Sequence, residues 1–137
     1  MKKVLSLVLV VLTVFSLVSI TAIASEVEPR WNNANTATVA LYISGSGNAN
    51  ISFNCAGKSG VTTSIKAETK LERKWGIFWL DVDGAEWTDT TYSVFFTKGY
   101  DFQLSKTGTY RATTKFTVSG TGGSNDVIEV TSQDVYE

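Results

Sequence analysis

Between Tyr100 and Val118 the chain reads YDFQLSKTGTYRATTKFTV. Tyr100, Phe102 and Leu104 alternate with polar residues before Gly108, and Tyr110, Ala112, Thr114, Phe116 and Val118 do so after it. A side-chain period of two belongs to a strand with one buried and one wetted face. The same alternation recurs along the chain: Ala37, Val39, Leu41 and Ile43; Ala49, Ile51, Phe53 and Cys55; Ile65, Ala67, Thr69 and Leu71; Tyr92, Val94 and Phe96; and Ile128 with Val130. Glycine-containing breaks separate the runs, and no window carries a sustained 3.6-residue apolar stripe. The pattern predicts an all-β, antiparallel sandwich of about seven or eight strands over residues 36–137. Within it, a fourth strand is expected from about Ile77 to Asp83, ended by the turn dipeptide Asp83-Gly84, with Glu86 to Thr91 as loop.

The amino-terminal residues follow another logic. Lys2 and Lys3 precede an almost wholly apolar run, Val4 to Ile20, and Ala22-Ile23-Ala24 supplies a small-x-small processing site. This predicts a helical signal peptide over residues 1–24, cleaved after Ala24, and a secreted or cell-wall-associated protein with no membrane span after cleavage. Residues 25–35, with the lone Pro29, read as a flexible leader. The 113 residues that remain after cleavage carry 10 basic and 13 acidic side chains, a net charge of −3. That balance argues against nucleic acid and anionic lipid as partners, because both select basic patches. One cysteine, Cys55, allows no internal disulfide, so packing must hold the domain, and a monomer is expected. There is no histidine. The commonest general base, Ser-His and Cys-His nucleophiles and histidine-ligated metal sites are therefore absent. No cofactor is expected.

The run A49-x-I51-x-F53-x-C55, followed late in the chain by G108-x-Y110-x-A112, resembles the immunoglobulin-like pattern. That resemblance implies that Tyr110 is a corner tyrosine whose hydroxyl bonds upstream backbone. It would place a second cysteine at position 112, where this chain has alanine. The segments from Lys66 through L71-E-R-K-W75, G108-T-Y110-R111 and E129-V-T-S132 are also similar to small uncharacterised secreted proteins of Gram-positive bacteria with a single immunoglobulin-like domain. That likeness implies a structural module and no particular activity.

Two clusters bear on function. Asp81, Asp83, Glu86 and Asp89 surround a glycine turn, as calcium loops do, but without EF-hand spacing or its closing glutamate, so no metal ligands are assigned. A glycosidase pair needs two carboxylates in contrasting environments across a cleft, for which one small sandwich has little room. No catalytic residue is assigned, and the protein is expected not to be an enzyme. Aromatics are the stronger signal: Trp75, Phe78, Trp79, Trp87, Tyr92, Phe95 and Phe96 crowd into 22 residues. Strand parity puts Phe78, Leu80 and Val82 on one face and Trp79, Asp81 and Asp83 on the other. Carboxylates resist burial, so parity puts Trp79 on the wet face; the alternative is that Trp79 is the buried tryptophan such sandwiches keep in the core. Trp79, Asp81, Asp83 and Trp87 are thus the candidate ligand-binding residues. The expected function is a secreted binding or interaction module for an unknown cell-surface protein or glycan. The alternative is a carbohydrate-binding accessory or small glycan-processing protein that uses the Trp79/Asp81/Asp83 face.

Overall fold

A computed structural model describes residues 30–137. The signal segment, its cleavage after Ala24 and Pro29 lie outside the described residues. The described chain forms seven strands: β1 (Ala34–Ile43), β2 (Asn48–Gly57), β3 (Thr62–Trp75), β4 (Phe78–Thr91), β5 (Phe95–Gln103), β6 (Gly108–Gly120) and β7 (Asp126–Tyr136). They build two antiparallel sheets, in the orders β1-β2-β5 and β4-β3-β6-β7, packed as an immunoglobulin-like sandwich.

Inward residues follow the alternation. Ile51, Phe53 and Cys55 on β2, Ile65, Ala67 and Leu71 on β3, and Tyr110, Ala112, Phe116 and Val118 on β6 are all buried. They divide into two apolar clusters. The first is centred on Phe53, whose ring meets Phe96 at 5.0 Å and 88° and Phe116 at 5.4 Å and 75°. Such edge-to-face contacts align the positive ring edge with a negative ring face. The second cluster gathers Leu41, Ile51, Leu71, Leu104, Tyr110 and Ala112 among others. Paired directly across β3 and β6, Thr69 and Thr114 point inward and satisfy each other through their hydroxyls at 2.9 Å. This mutual bond offsets the cost of burying two polar groups.

Cys55 is fully buried and unpaired, and burial pushes its thiol up to about 11, so it stays protonated. It packs in the first cluster, whereas Ala112 belongs to the second. Tyr110 behaves as the corner resemblance implies: its ring is buried and its hydroxyl donates to the Lys106 carbonyl at 2.6 Å.

The first strand starts at Ala34, inside the stretch read as leader, and Trp31 packs against the first cluster. The cause is Asp126 at the start of β7. Its carboxylate accepts from the backbone N–H groups of Asn32 (2.9 Å), Asn33 (2.6 Å) and Ala34 (3.0 Å). Further along the same seam the Leu41 N–H donates to the Ser132 hydroxyl and the Ile43 N–H to the Asp134 carboxylate. Side chains of β7 thus satisfy the N–H groups of Ala34, Leu41 and Ile43 on edge strand β1, which blunts a template for edge-to-edge association. Desolvation acts to raise the pKa of Asp126, but the donated N–H bonds and the nearby Lys58 charge outweigh it and leave the carboxyl below its ordinary value.

Two stability predictions follow from these contacts. Tyr110→Phe strands the Lys106 carbonyl and should cost about 0.5–1.5 kcal/mol in chemical denaturation. Tyr110→Ala also opens a cavity and should cost about 3–5 kcal/mol. If both variants melt like the parent, the corner contributes nothing. Because the folded-state pKa of Asp126 lies below its unfolded value, its contribution is complete above the ordinary carboxylate range. It is lost as pH falls through the folded-state value. Asp126→Asn should therefore lower the melting temperature at neutral pH and flatten its decline below about pH 4. Parallel acid melting curves for parent and variant would refute this.

Candidate functional site

The four residues singled out from sequence do not form one site, and the reason is a bulge. On β3, Lys70 faces Glu86 of β4 and Glu72 faces Asp81, so Leu71 alone stands opposite the four residues Val82–Ala85. Three extra residues on β4 are an odd number, and an odd insertion exchanges the faces of everything beyond it. Gly84 makes the bulge possible with φ of +78°, a backbone region in which a side chain is strained. The Asp83-Gly84 pair expected to end the fourth strand therefore kinks it, and β4 runs on through Glu86 to Thr91 instead of turning into loop.

The consequences differ for each residue. Trp79 and Asp81 lie on the outer face of the four-stranded sheet, as parity predicts. Asp83 sits exposed in the bulge. Trp87 has crossed to the inner face, where it packs against both core clusters and stacks on Tyr100, ring centroids 4.6 Å apart and planes 9° from parallel. It is a core residue and leaves the candidate set. Asp89 faces inward too, accepting from Lys98 at 2.8 Å and from the Tyr100 hydroxyl. The Lys98 bond first, then that of Tyr100, holds its carboxyl below its ordinary value. Burial, then the Asp89 bond, raises the phenol of Tyr100. The carboxylates around the bulge thus point in different directions rather than converging. Among the described residues, no group of three or more acidic, cysteine or histidine side chains is placed to hold a metal ion.

On the outer face the structure supplies partners for Trp79 that the sequence reading missed. Arg111 of β6 lies over its ring, the guanidinium carbon 4.5 Å from the centroid. The same guanidinium donates to both oxygens of Glu72, at 2.9 and 3.2 Å. Glu72 is only 4% exposed, although it stands on the outward, charged face of β3 with Lys66, Glu68 and Lys70. Lys70 lies 3.8 Å from Glu72 and 3.5 Å from Asp81, closing a network of Trp79, Arg111, Glu72, Lys70 and Asp81. The signal for it was present in the outward parity of Arg111, Glu72 and Trp79. The register that aligns them across three strands was not. With one ring face occupied by arginine, Trp79 has a single face left for a ligand.

No protein-family model matches the chain, and no curated protein matches it. Among solved structures, the chain is similar to the CARDB domain of a Pyrococcus furiosus protein, solved in complex with di-metal ions. The identity is 14%, the match covers 79% of this chain and 97% of that one, and the TM-score is 0.46. Nothing about ligand or activity is drawn from that likeness.

A second surface was not expected at all. Strand parity sets Phe78, Leu80 and Val82 on the face opposite Trp79, where burial is expected, yet Phe78 is 59% and Leu80 51% exposed, and only Val82 packs against the core. Together with Trp75 at 64% and Ile77 at 87%, they form an apolar end to the β3–β4 hairpin. Trp75 and Phe78 close the hairpin around the two-residue loop Gly76-Ile77, and Gly76 has φ of +61°. A positive φ at the first loop position alone is the type II′ arrangement, which suits the right-handed twist of the strands. The tight turn carries Ile77 outward, beyond reach of either sheet. An open cleft beneath the tip is lined by apolar Leu80, Phe102 and Leu104 and by charged Arg73, Asp83 and Lys106, among others.

The outer-face network makes a prediction. Arg111→Ala leaves Glu72 buried with only a distant lysine and should cost about 3 kcal/mol or more. Trp79→Ala removes mainly the stacked ring and should cost about 1 kcal/mol. A double-mutant cycle of the two checks the coupling: additive losses would mean that ring and guanidinium do not interact.

Proposed function

We propose that this protein is a non-enzymatic binding module that works outside the cell or at its envelope, and that its contact surface is the apolar end of the β3–β4 hairpin. The observation that carries this reading is the joint exposure of Trp75, Ile77, Phe78 and Leu80 on one turn. Single exposed apolar residues are ordinary, but a contiguous group rimmed by polar side chains marks an interaction site. The non-enzymatic part draws on the dispersal of the carboxylates around the bulge, the burial of the single cysteine and the absence of histidine from the sequence. Export rests on the amino-terminal signal pattern.

The test uses the exported chain and isolated cell envelope. Ile77→Asp, at a turn position that tolerates a polar residue, should leave the melting temperature unchanged and reduce envelope binding at least fivefold. Unchanged binding by a folded Ile77→Asp protein would defeat the hairpin as the contact surface.

A glycan-binding reading of the Trp79 face has one observation in its favour. The partly exposed indole shares the outer face with Asp81, which is paired with Lys70, and a ring with hydrogen-bonding groups on one face suits a sugar. Polysaccharide retention that Trp79→Ala abolishes and Ile77→Asp spares would select this reading over the hairpin.

A further inference from the structure

Resting on the hairpin reading above, we propose that the partner of this end is an anionic lipid surface, with the tip residues entering the interfacial layer and a collar of cations meeting the headgroups. The net negative charge argued against such a partner, but the fold sorts the charges. Lys66, Lys70, Lys98, Arg111 and Lys115 are all engaged in ion pairs. Of the five cations in no ion pair among the described residues, Arg73, Lys74 and Lys106 stand at the hairpin end, while Arg30 and Lys58 lie by the β2–β3 connection at the other end of β3. Arg73 and Lys74 immediately precede Trp75. The Arg73 guanidinium donates to the carbonyl of Thr107 at 2.7 and 3.0 Å, which draws the β5–β6 loop carrying Lys106 alongside and leaves its charge unneutralised. Of the nearby acids, Asp81 is paired with Lys70, the exposed Asp83 shares a cleft with Arg73 and Lys106, and Glu137 follows the end of β7, so three cations face one unpaired side-chain carboxylate at the cleft.

Shape decides between lipid and protein. The apolar group is a convex turn, with the most exposed residue, Ile77, at its apex. Four exposed apolar side chains on one turn are far fewer than the roughly 20–30 residues a side of a stable protein interface. A bilayer demands no complementary pocket. Tryptophan beside the apex favours the interfacial depth, and unpaired lysine and arginine behind it add attraction to acidic headgroups. The unpaired cations add nothing to the binding of a neutral glycan.

The experiment uses the exported chain with vesicles of phosphatidylglycerol and, separately, of phosphatidylcholine. All variants share one amino-terminal segment, so differences among them report the hairpin. The parent should co-sediment with phosphatidylglycerol vesicles, bind phosphatidylcholine at least about tenfold more weakly, and lose binding as salt rises. Its tryptophan fluorescence should shift to the blue on binding, and Trp75→Phe should remove most of that shift. Ile77→Asp should abolish binding to both vesicles, and Lys74→Glu with Lys106→Glu should lower phosphatidylglycerol binding about tenfold or more while the protein still folds. Equal vesicle binding by parent and Ile77→Asp, or none by the parent, overturns the lipid assignment. If the parent fails on vesicles while envelope binding still depends on Ile77, lipid is wrong and the hairpin reading stands. If Ile77→Asp changes neither, both fall.

Discussion

Hydrogen-bonded ladders run only within each sheet, and no disulfide crosses between them. The contact of the Phe53 ring with Phe116 across the sandwich, repeated by smaller apolar pairs above and below, is what makes two sheets into one domain. That contact depends on alternation being kept without error on β2 and β6, because a slip of one residue would turn every core side chain to water. The single cysteine contributes as a small hydrophobe. Between the sheets, Thr69 and Thr114 are buried with each other as partners, while on β6 the Thr113 hydroxyl is buried without one.

The two sides of the sandwich treat their edges differently. Along β1 and β7 the side chains of Asp126, Ser132 and Asp134 take up the backbone donors of β1, so that seam is closed without a continuous backbone ladder. Asp89 links β4 to β5 through Lys98 and Tyr100 in the first half of the core. Towards the hairpin tip no such link covers β4, and there Leu80 and Phe78 emerge. The exposed apolar end is thus a local consequence of where inter-sheet contact stops, combined with a turn short enough to hold Ile77 clear of it.

The bulge in β4 sets what the outer face can be. It allows Trp79 to stand outside while Trp87, at the same parity in sequence, stacks inside on Tyr100. It also separates the acidic residues that sequence proximity had grouped. Arg111 then serves two masters at once, neutralising Glu72 and covering Trp79, and an arginine is needed for both because its planar fork bonds a carboxylate and stacks on a ring in a way lysine does not.

Fold class, most inward residues of six strands, the burial of Cys55 and the corner role of Tyr110 were legible in the sequence, whereas Tyr92, expected to alternate inward with Val94 and Phe96, lies exposed in the connection before β5. Each legible feature follows from a short-range rule: a period of two, a glycine break, or a tyrosine two residues beyond a glycine. Sequence parity also placed Trp79 and Asp81 outside correctly. It failed at Trp87 because Asp83-Gly84 has the same composition whether it ends a strand or bulges one, and only pairing with β3 distinguishes them. The leader boundary moved because the donors of Asn32 to Ala34 are claimed by a carboxylate more than 90 residues away. Burial of Phe78 and Leu80 was expected from alternation, which says which face a residue is on and nothing about whether an opposing sheet extends far enough to cover it. That last fact belongs to tertiary structure alone, since coverage depends on how two sheets of unequal width overlap, and it is what leaves this protein a surface to bind with.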